Sequence, residues 1–182
     1  LNILEILRQR NPLVICITND VVRTFTANGL LAIGASPVMS ECSEDLKNLI
    51  VHASAILINI GTLTPDKVSY YKDAIELAKK HEVPIVLDPV GCHAGAYRLS
   101  VVLDLIKTGE ISLVRGNQSE IKAIYDTLSP NNQADTSTTG KGVDGGQIED
   151  SAVIAYRLAR LINCPVVATG EEDYVSDGTR VF

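Results

Sequence analysis

Short apolar runs alternate along the chain with longer stretches in which apolar residues recur at helical spacing. The runs are nearly continuous in apolar residues, which is typical of parallel strands covered on both faces. They span residues 13–17, 55–60, 84–87, 111–114 and 165–168, and we expect helices near 20–33, 43–52, 65–81, 97–108, 118–127 and 148–162. The alternation predicts an α/β fold with a mainly parallel central sheet and helices on both faces.

Two segments interrupt this pattern. Residues 129–146 are rich in Ser, Thr, Asn, Asp and Gly, and we predict a flexible loop there. In residues 173–182, two short strand-forming segments flank Asp177-Gly178, which predicts a hairpin with an Asp-Gly turn. The sequence contains no repeat and no domain boundary, so residues 1–182 are expected to form a single domain.

Composition and net charge limit the kinds of protein and of binding partner that fit this sequence. The chain has 182 residues with 46% hydrophobic content, which is enough to bury a substantial core. Its net charge of -6 and pI of about 5.0 create no field that would favour nucleic acid or an anionic membrane. No apolar run approaches the roughly 20 residues of a membrane span. Four widely separated cysteines indicate reduced thiols, so we expect a cytoplasmic protein.

Polar residues follow each of the five apolar runs. In an open α/β sheet, ligands bind beyond the carboxyl ends of the strands, so these residues are candidates for one site. Each group also has a simpler explanation as a helix cap or a turn. Five such groups at one sheet edge favour a site, and they are Thr18-Asn19-Asp20, Gly61-Thr62, Asp88-Pro89-Val90-Gly91, Arg115-Gly116-Asn117 and Thr169-Gly170-Glu171.

The segment from Arg115 to Glu120 carries the most specific chemistry. It places a cation, a turn at Gly116 and an Asn-x-x-Glu spacing where a strand is expected to become a helix. Arginine binds phosphate oxygens, and oxygen ligands beside a helix N-terminus suit magnesium and phosphate. The alternative is a capping box between Asn117 and Glu120, which needs no ligand.

Several ordered blocks of the chain resemble one known family, the hydroxyethylthiazole kinases of thiamine salvage, within the ribokinase-like superfamily. The resemblance spans nearly the whole chain. It is carried by Ile17-Thr18-Asn19-Asp20-Val21-Val22, Phe25-Thr26-Ala27-Asn28-Gly29-Leu30-Leu31-Ala32-Ile33-Gly34-Ala35-Ser36-Pro37-Val38-Met39, Leu57-Ile58-Asn59-Ile60-Gly61-Thr62-Leu63, Leu87-Asp88-Pro89-Val90-Gly91, Arg115-Gly116-Asn117-Gln118-Ser119-Glu120, Lys141-Gly142-Val143-Asp144 and Ala168-Thr169-Gly170-Glu171-Glu172-Asp173-Tyr174-Val175-Ser176-Asp177-Gly178.

This resemblance implies a ribokinase-like fold and ATP-dependent phosphorylation of the hydroxyethyl group of 4-methyl-5-(2-hydroxyethyl)thiazole, with Mg²⁺. It also implies a homotrimer with the thiazole pocket at the subunit contact. By the same resemblance, substrate would be bound by Met39, Asn19 and Gly61, ATP by Arg115, Thr169 and Asn117, and the metal by Asp88 and Glu120. Met39 has an alternative explanation as core filling.

One part of the family pattern is not found in the chain. The family's Gly-Thr-Gly-Cys segment, which supplies an anion hole and the catalytic cysteine, is expected beyond Phe182. We therefore expect the kinase domain to be incomplete at its carboxyl end and assign no catalytic residue. Two alternatives stay open, namely another ribokinase-like small-molecule kinase and, if the chain is complete, a non-catalytic scaffold or binding protein.

Overall fold

A computed structural model describes residues 2–129 and 150–182. Apart from Ser129, the predicted loop at 129–146 lies outside the described residues. The helices are α1 (Ile3–Arg10), α2 (Arg23–Ile33), α3 (Ser43–Leu49), α4 (Pro65–His81), α5 (Ala96–Ile106), α6 (Gln118–Leu128) and α7 (Ser151–Ile162). The strands are β1 (Leu13–Ile17), β2 (Ser36–Val38), β3 (Ala55–Asn59), β4 (Ile85–Asp88), β5 (Leu113–Asn117), β6 (Val166–Thr169) and β7 (Tyr174–Ser176). Short 3₁₀ helices cover Ile50–His52 and Cys92–Ala94.

Within the described residues, the strands form one sheet in the order β2-β1-β3-β4-β5-β6-β7. Strands β1 to β6 are parallel, and β7 is antiparallel to β6. The predicted α/β fold with a mainly parallel sheet is therefore confirmed. All carboxyl ends of β1 to β6 lie at the same edge, which we call the carboxyl edge.

The two faces of the sheet are covered unequally. Helices α3 to α7 contact one another in chain order and form one layer. Connections between parallel strands are right-handed, so the direction of a connection along the sheet decides which face its helix covers. The connection from β1 to β2, which contains α2, runs in the opposite direction to the connections from β2 to β6. Helix α2 therefore lies on the opposite face. Alternate strand residues reflect this difference, since Ile58 and Leu87 are fully buried whereas Leu57 and Val86 are partly exposed.

Strand β2 is absent from the sequence prediction. It has only three residues and contains Pro37, so neither its length nor its composition distinguishes it from a loop. Proline is tolerated because β2 lies at the edge of the sheet, where it pairs with β1 alone.

The predicted turn at Gly116 is wrong. Strand β5 continues to Asn117 and α6 begins at the next residue. Pairing with β6 explains the extension, because Arg115 lies opposite Val167 and Gly116 lies opposite Ala168. The sequence around residue 115 does not show that a partner strand extends this far.

The predicted hairpin in residues 173–182 is confirmed. Ser176 forms an antiparallel bridge with Val181, and Val175 exchanges two backbone hydrogen bonds with Phe182. The Asp177 carboxylate accepts from the backbone N–H groups of Thr179 and Arg180, which stabilises the turn. No helix in the described part of the chain is both long and apolar enough to cross a bilayer.

Candidate functional site

The residues predicted to form a site all lie at or just beyond the carboxyl edge. In sheet order, Met39 follows β2, Asn19 follows β1, Gly61 follows β3, Asp88 ends β4, Arg115 lies within β5 and Asn117 ends it, and Thr169 ends β6. Glu120 lies in the first turn of α6. Adjacent strands are about 4.8 Å apart, so the row from β2 to β6 spans roughly 24 Å. The residues therefore form an elongated site with two sides rather than one compact cluster.

On the β1 side, Asn19 is held in a single orientation. Its side chain is buried, and Oδ1 accepts from the backbone N–H groups of Val21 and Val22 at 3.0 and 3.1 Å. These bonds shape the turn that leads into α2, which begins at Arg23 rather than near residue 20. Gly61 packs against this amide, because a Cβ at position 61 would lie 2.5 Å from Asn19 Nδ2. Glycine is therefore required at 61 for Asn19 to keep its place.

Asn59 connects Asn19 to Asp88 across three strands. Its Oδ1 accepts from Asn19 Nδ2 at 2.8 Å, and its Nδ2 donates to Asp88 Oδ2 at 2.7 Å. Asn59 and Asp88 are also register partners in β3 and β4, so their side chains lie on the same face. The two sides of the site are thus joined by a continuous row of side-chain hydrogen bonds.

Asp88 is a carboxyl group in a poorly solvated position beside a second carboxylate. Burial and the nearby Glu120 charge raise the pKa of Asp88 to about 6 from its ordinary value of 3.8. The Arg115 guanidinium and the hydrogen bond from Asn59 act in the opposite direction and lower it. At neutral pH Asp88 is therefore mostly ionised and can act as a ligand for a cation.

Glu120 is buried and fully engaged with the backbone. Its Oε2 accepts from the N–H of Asn117 at 2.7 Å, while Asn117 Oδ1 accepts from the N–H of Glu120 at 2.9 Å. This is the capping box left open by the sequence. Its Oε1 also accepts from the N–H of Gly91 at 2.8 Å, which ties the loop after Asp88 to the start of α6. Each oxygen keeps a further lone pair for a ligand.

Arg115, Asn117 and Thr169 occupy the β5–β6 end of the row. Arg115 and Asn117 alternate with buried residues along β5 and are exposed. Asn117 lies opposite Thr169, whose hydroxyl donates to the carbonyl of Gly116 at 3.2 Å. The Asn117 side-chain oxygen is committed to the cap, so Arg115 and Thr169 are the side chains better placed to reach a ligand.

The donor set at Asp88 and Glu120 fits a hard divalent cation that keeps most of its water. Within residues 2–129 and 150–182, no group of three or more His, Cys, Asp or Glu side chains could by itself enclose a metal ion. Magnesium is commonly held by one or two carboxylates together with water and substrate phosphates. Asp88, with the Glu120 carboxylate and the Arg115 guanidinium near it, matches that pattern.

A cavity of about 210 Å³ lies on the β1 side of the site. It is lined by Thr18, Ser40, Tyr70, Arg23 and Lys67, among others. Thr18 is 5% exposed, and its hydroxyl has no hydrogen-bond partner among the described residues. Thr18 and Ser40 are the chain neighbours of Asn19 and Met39. The cavity therefore adjoins the residues that the family resemblance assigned to substrate.

Three of the four cysteines offer no nucleophile or base to this site. All four are free thiols, and burial raises the pKa of Cys16 to about 11, of Cys92 to about 12 and of Cys164 to about 11. These three thiols are therefore protonated at neutral pH. Cys42 is exposed and precedes α3.

Sequence reasoning did not identify two residues that organise the site. Asn59 belonged to an apolar run, and a single polar residue at the end of that run was its only signal. Arg98 in α5 donates to the carbonyl oxygens of Ile60, Gly61 and Val90 at 2.8–3.2 Å, and so joins the loops after β3 and β4. Nothing in the sequence distinguishes Arg98 from a solvated helix residue.

Comparisons with known proteins identify the family of the chain. The sequence model of the hydroxyethylthiazole kinase family matches residues 4–182. A hydroxyethylthiazole kinase of Streptococcus agalactiae is 51% identical over 173 residues, which is 95% of this chain and 64% of that protein. One of Streptococcus suis is 51% identical, over 95% of this chain and 63% of that protein. The chain thus spans less than two thirds of the length of these curated relatives.

Solved structures give the same result. The structure of a hydroxyethylthiazole kinase protein from Pyrococcus horikoshii matches with a TM-score of 0.83 and 38% identity, over 98% of this chain and 63% of that one. A last common ancestor of vitamin kinases matches with a TM-score of 0.62 at 13% identity, over 93% of this chain and 82% of that one. A ribokinase-like superfamily protein from Enterococcus faecalis matches with a TM-score of 0.54 at 15% identity, over 93% of this chain and 61% of that one. The last two matches show the fold alone.

Proposed function

Because the chain belongs to the hydroxyethylthiazole kinase family, we propose that the protein phosphorylates the hydroxyethyl group of 4-methyl-5-(2-hydroxyethyl)thiazole with ATP, in thiamine salvage. The observation that carries this proposal is the row of residues at the carboxyl edge. It has an alcohol side around Asn19 and a phosphate side around Asp88 and Arg115, joined by Asn59. Since the chain spans part of its relatives' length, we propose the activity for the full-length gene product.

The acceptor alcohol lies on the β1 side in this proposal. Met39 is partly buried at the end of β2, and its polarisable thioether suits a small heteroaromatic ring. Asn19 and Gly61 form the adjoining wall, because Gly61 leaves no space between its backbone and the Asn19 amide. The cavity of about 210 Å³ beside Thr18 supplies a partly enclosed space next to these residues.

The nucleotide phosphates lie at the β5–β6 end. The exposed Arg115 guanidinium offers several donors to phosphate oxygens, and the Thr169 hydroxyl lies on the neighbouring strand. The N-terminus of α6 follows directly after Asn117 and adds a favourable dipole for an anion. Asn117 contributes by fixing that helix start through its cap.

Asp88 and Glu120 would hold the Mg²⁺ ion and its water ligands. When bound, the ion supplies neutralisation of phosphate charge. Asp88 is ionised at neutral pH, and Glu120 keeps the loop at Gly91 in place beside it.

We further propose a cytoplasmic homotrimer. Four free thiols suit a reducing compartment. The surface formed by Val21 and α2 is apolar and exposed, with Val21 at 85% and Phe25 at 81% exposure. Because this surface begins two residues after Asn19, a subunit contact there would lie next to the alcohol side of the site.

Phosphoryl transfer by the full-length gene product tests the proposal. With ATP and Mg²⁺, we expect the thiazole alcohol to be phosphorylated faster than a hydroxymethylpyrimidine. Preference for the pyrimidine would support another ribokinase-like kinase, and binding of neither alcohol would support a non-catalytic scaffold. Arg115→Ala should weaken ATP binding more than thiazole binding, and an equal loss for both would place Arg115 outside the phosphate side.

A further inference from the structure

Asn59 is a buried amide at the end of an otherwise apolar strand. It is 6% exposed, and the rest of β3 is Ala, Ile, Leu and Ile. A polar side chain in such a place is costly unless its donors and acceptors are satisfied. Asn59 meets that requirement through side chains far away in the sequence, Asn19 and Asp88, and through the N–H of Gly61.

The donor and the acceptor of each hydrogen bond between Asn19, Asn59 and Asp88 are determined by the backbone N–H groups that these side chains also contact. The N–H groups of Val21 and Val22 can only donate, so the atom of Asn19 that faces them is Oδ1 and its Nδ2 faces Asn59. The Gly61 N–H likewise identifies Oδ1 of Asn59. The Nδ2 of Asn59 is then left to donate to the Asp88 carboxylate. Neither amide can flip without placing two donors against each other.

This arrangement constrains Asp88 as much as it constrains Asn59. One carboxylate oxygen, Oδ2, is held by Asn59 Nδ2 at 2.7 Å, while β3–β4 pairing fixes the two backbones. Rotation of the Asp88 side chain would break the bond and leave a buried amide hydrogen without its acceptor. The position of Asp88 is therefore tied to the turn that carries Asn19.

We propose that Asn59 is a positioning residue that holds the Asp88 carboxylate in register with Asn19, and so aligns the phosphate side of the site with the alcohol side. This role rests on the proposed function, since it assumes that Asp88 serves a metal–nucleotide complex. Asn59 itself touches neither ligand and acts through Asp88.

The test uses Asn59→Leu, which is similar in volume and makes no side-chain hydrogen bond, in the full-length gene product. Calorimetric titration with ADP and Mg²⁺ should show about tenfold weaker binding, the usual effect of removing a group that orients a metal ligand. In an Asp88→Asn background, adding Asn59→Leu should change the affinity by less than about twofold, because the two residues act as one unit. Asn48→Leu, an exposed asparagine in α3, is the matched control.

Two outcomes would overturn the proposal. Unchanged Mg²⁺–ADP affinity with a lowered melting temperature would make Asn59 a purely structural residue. An equal loss of affinity in the native and Asp88→Asn backgrounds would show that Asn59 does not act through Asp88. If Asn59→Leu does not fold, Asn59→Ser gives the same test, because its shorter side chain can remain near Gly61 without reaching Asp88.

Failure of the proposed function gives a different result. A full-length protein that binds Mg²⁺–ADP through Asp88 and Asn59 but phosphorylates another alcohol would contradict the substrate and leave the role of Asn59 supported.

Discussion

Asp88 makes the stability of the protein depend on pH in an unusual direction. Its pKa is raised to about 6 in the folded chain, chiefly by burial and then by Glu120, against an ordinary value of 3.8. Between these values the native state binds the proton more strongly than the unfolded state. This group therefore stabilises the fold at low pH, and its contribution decreases as pH rises from about 4 through about 6.

Asp88→Asn should remove this dependence. Above pH 7 we expect the variant to be more stable than the native chain by about 1–3 kcal/mol, and the difference should vanish near pH 4. Urea denaturation from pH 4 to 8, with a chelator present, measures it. Asp104→Asn on the exposed side of α5 controls for the loss of one negative charge. A difference that is the same at all pH values would contradict the raised pKa.

Glu120 can be compared with a second capping box of the same sequence spacing. Asn2 and Glu5 form that box at the start of α1, where Glu5 is exposed and its bond to the Asn2 N–H is 3.4 Å long. Glu120 is buried and accepts a second backbone bond from Gly91. A comparison of the two glutamates therefore distinguishes the effect of capping alone, at Glu5, from the effect of capping combined with burial, at Glu120.

Glu120→Gln should destabilise the chain by about 2 kcal/mol, because one backbone N–H would face an amide donor in place of an acceptor. Glu5→Gln should cost less than about 0.5 kcal/mol, as exposed substitutions usually do. Chemical denaturation without metal, in an Asp88→Asn background that removes the repulsion between the carboxylates, gives both values. Equal small costs would indicate that Glu120 is kept for a ligand and not for the fold.

The sequence indicates the site residues at strand ends but not the residue that links them. The strand-end residues Asn19, Asp88 and Thr169 could be found because their position after apolar runs is a local signal. The link through Asn59 could not, since its partners lie 40 and 29 residues away and only the β1–β3–β4 pairing brings them together.

The same distinction holds for elements. The strands of four or five residues and their helices follow from local periodicity, and the cap at Asn117 follows from its spacing. Strand β2 and the extension of β5 depend on pairing with β1 and β6, which no local pattern contains. Sequence therefore predicts elements that are stable by their own composition and misses those completed by a neighbour.

Helix α5 carries the contact that holds two site loops together. Arg98 reaches three carbonyl oxygens in the loops after β3 and β4, a geometry that needs the planar fork of a guanidinium. Lysine at this position keeps the charge but cannot reach all three at once.

Arg98→Lys should loosen these loops without unfolding the core. We expect hydrogen exchange of the Ile60, Gly61 and Gly91 amides to accelerate roughly tenfold, for a local loss of about 1.4 kcal/mol. Exchange of core amides in β3 should not change. Exchange followed by NMR measures it, with Arg10→Lys on the exposed end of α1 as the control. Uniform acceleration across the whole chain would mean that Arg98 supports global stability instead.

For the whole molecule, the predicted fold is confirmed. The sequence did not indicate that the helices of this chain cover the two faces of the sheet unequally. Helices α3 to α7 protect one face, whereas α2 has no buried residue among those described and exposes Val21, Phe25 and Leu31 nearby. Continuous apolar strands indicate two buried faces and cannot show whether a face is covered by the same chain. An apolar helix that its own chain leaves exposed is typical of a subunit contact.

The proposed trimer would bury Phe25 at a subunit contact. Phe25 is 81% exposed and lies in α2 close in sequence to the exposed Val21, so Phe25→Glu should place a charge at the contact without disturbing the core. Light scattering of the full-length gene product should show a trimer for the native chain and a monomer for the variant, with nearly equal circular dichroism. Thiazole affinity should fall with the loss of the trimer, because the contact begins beside Asn19.

Leu161→Glu in α7, a residue 44% exposed, should leave both mass and affinity unchanged. A variant that stays trimeric would place the contact elsewhere, and a monomeric variant with native affinity would separate the alcohol side of the site from the subunit contact.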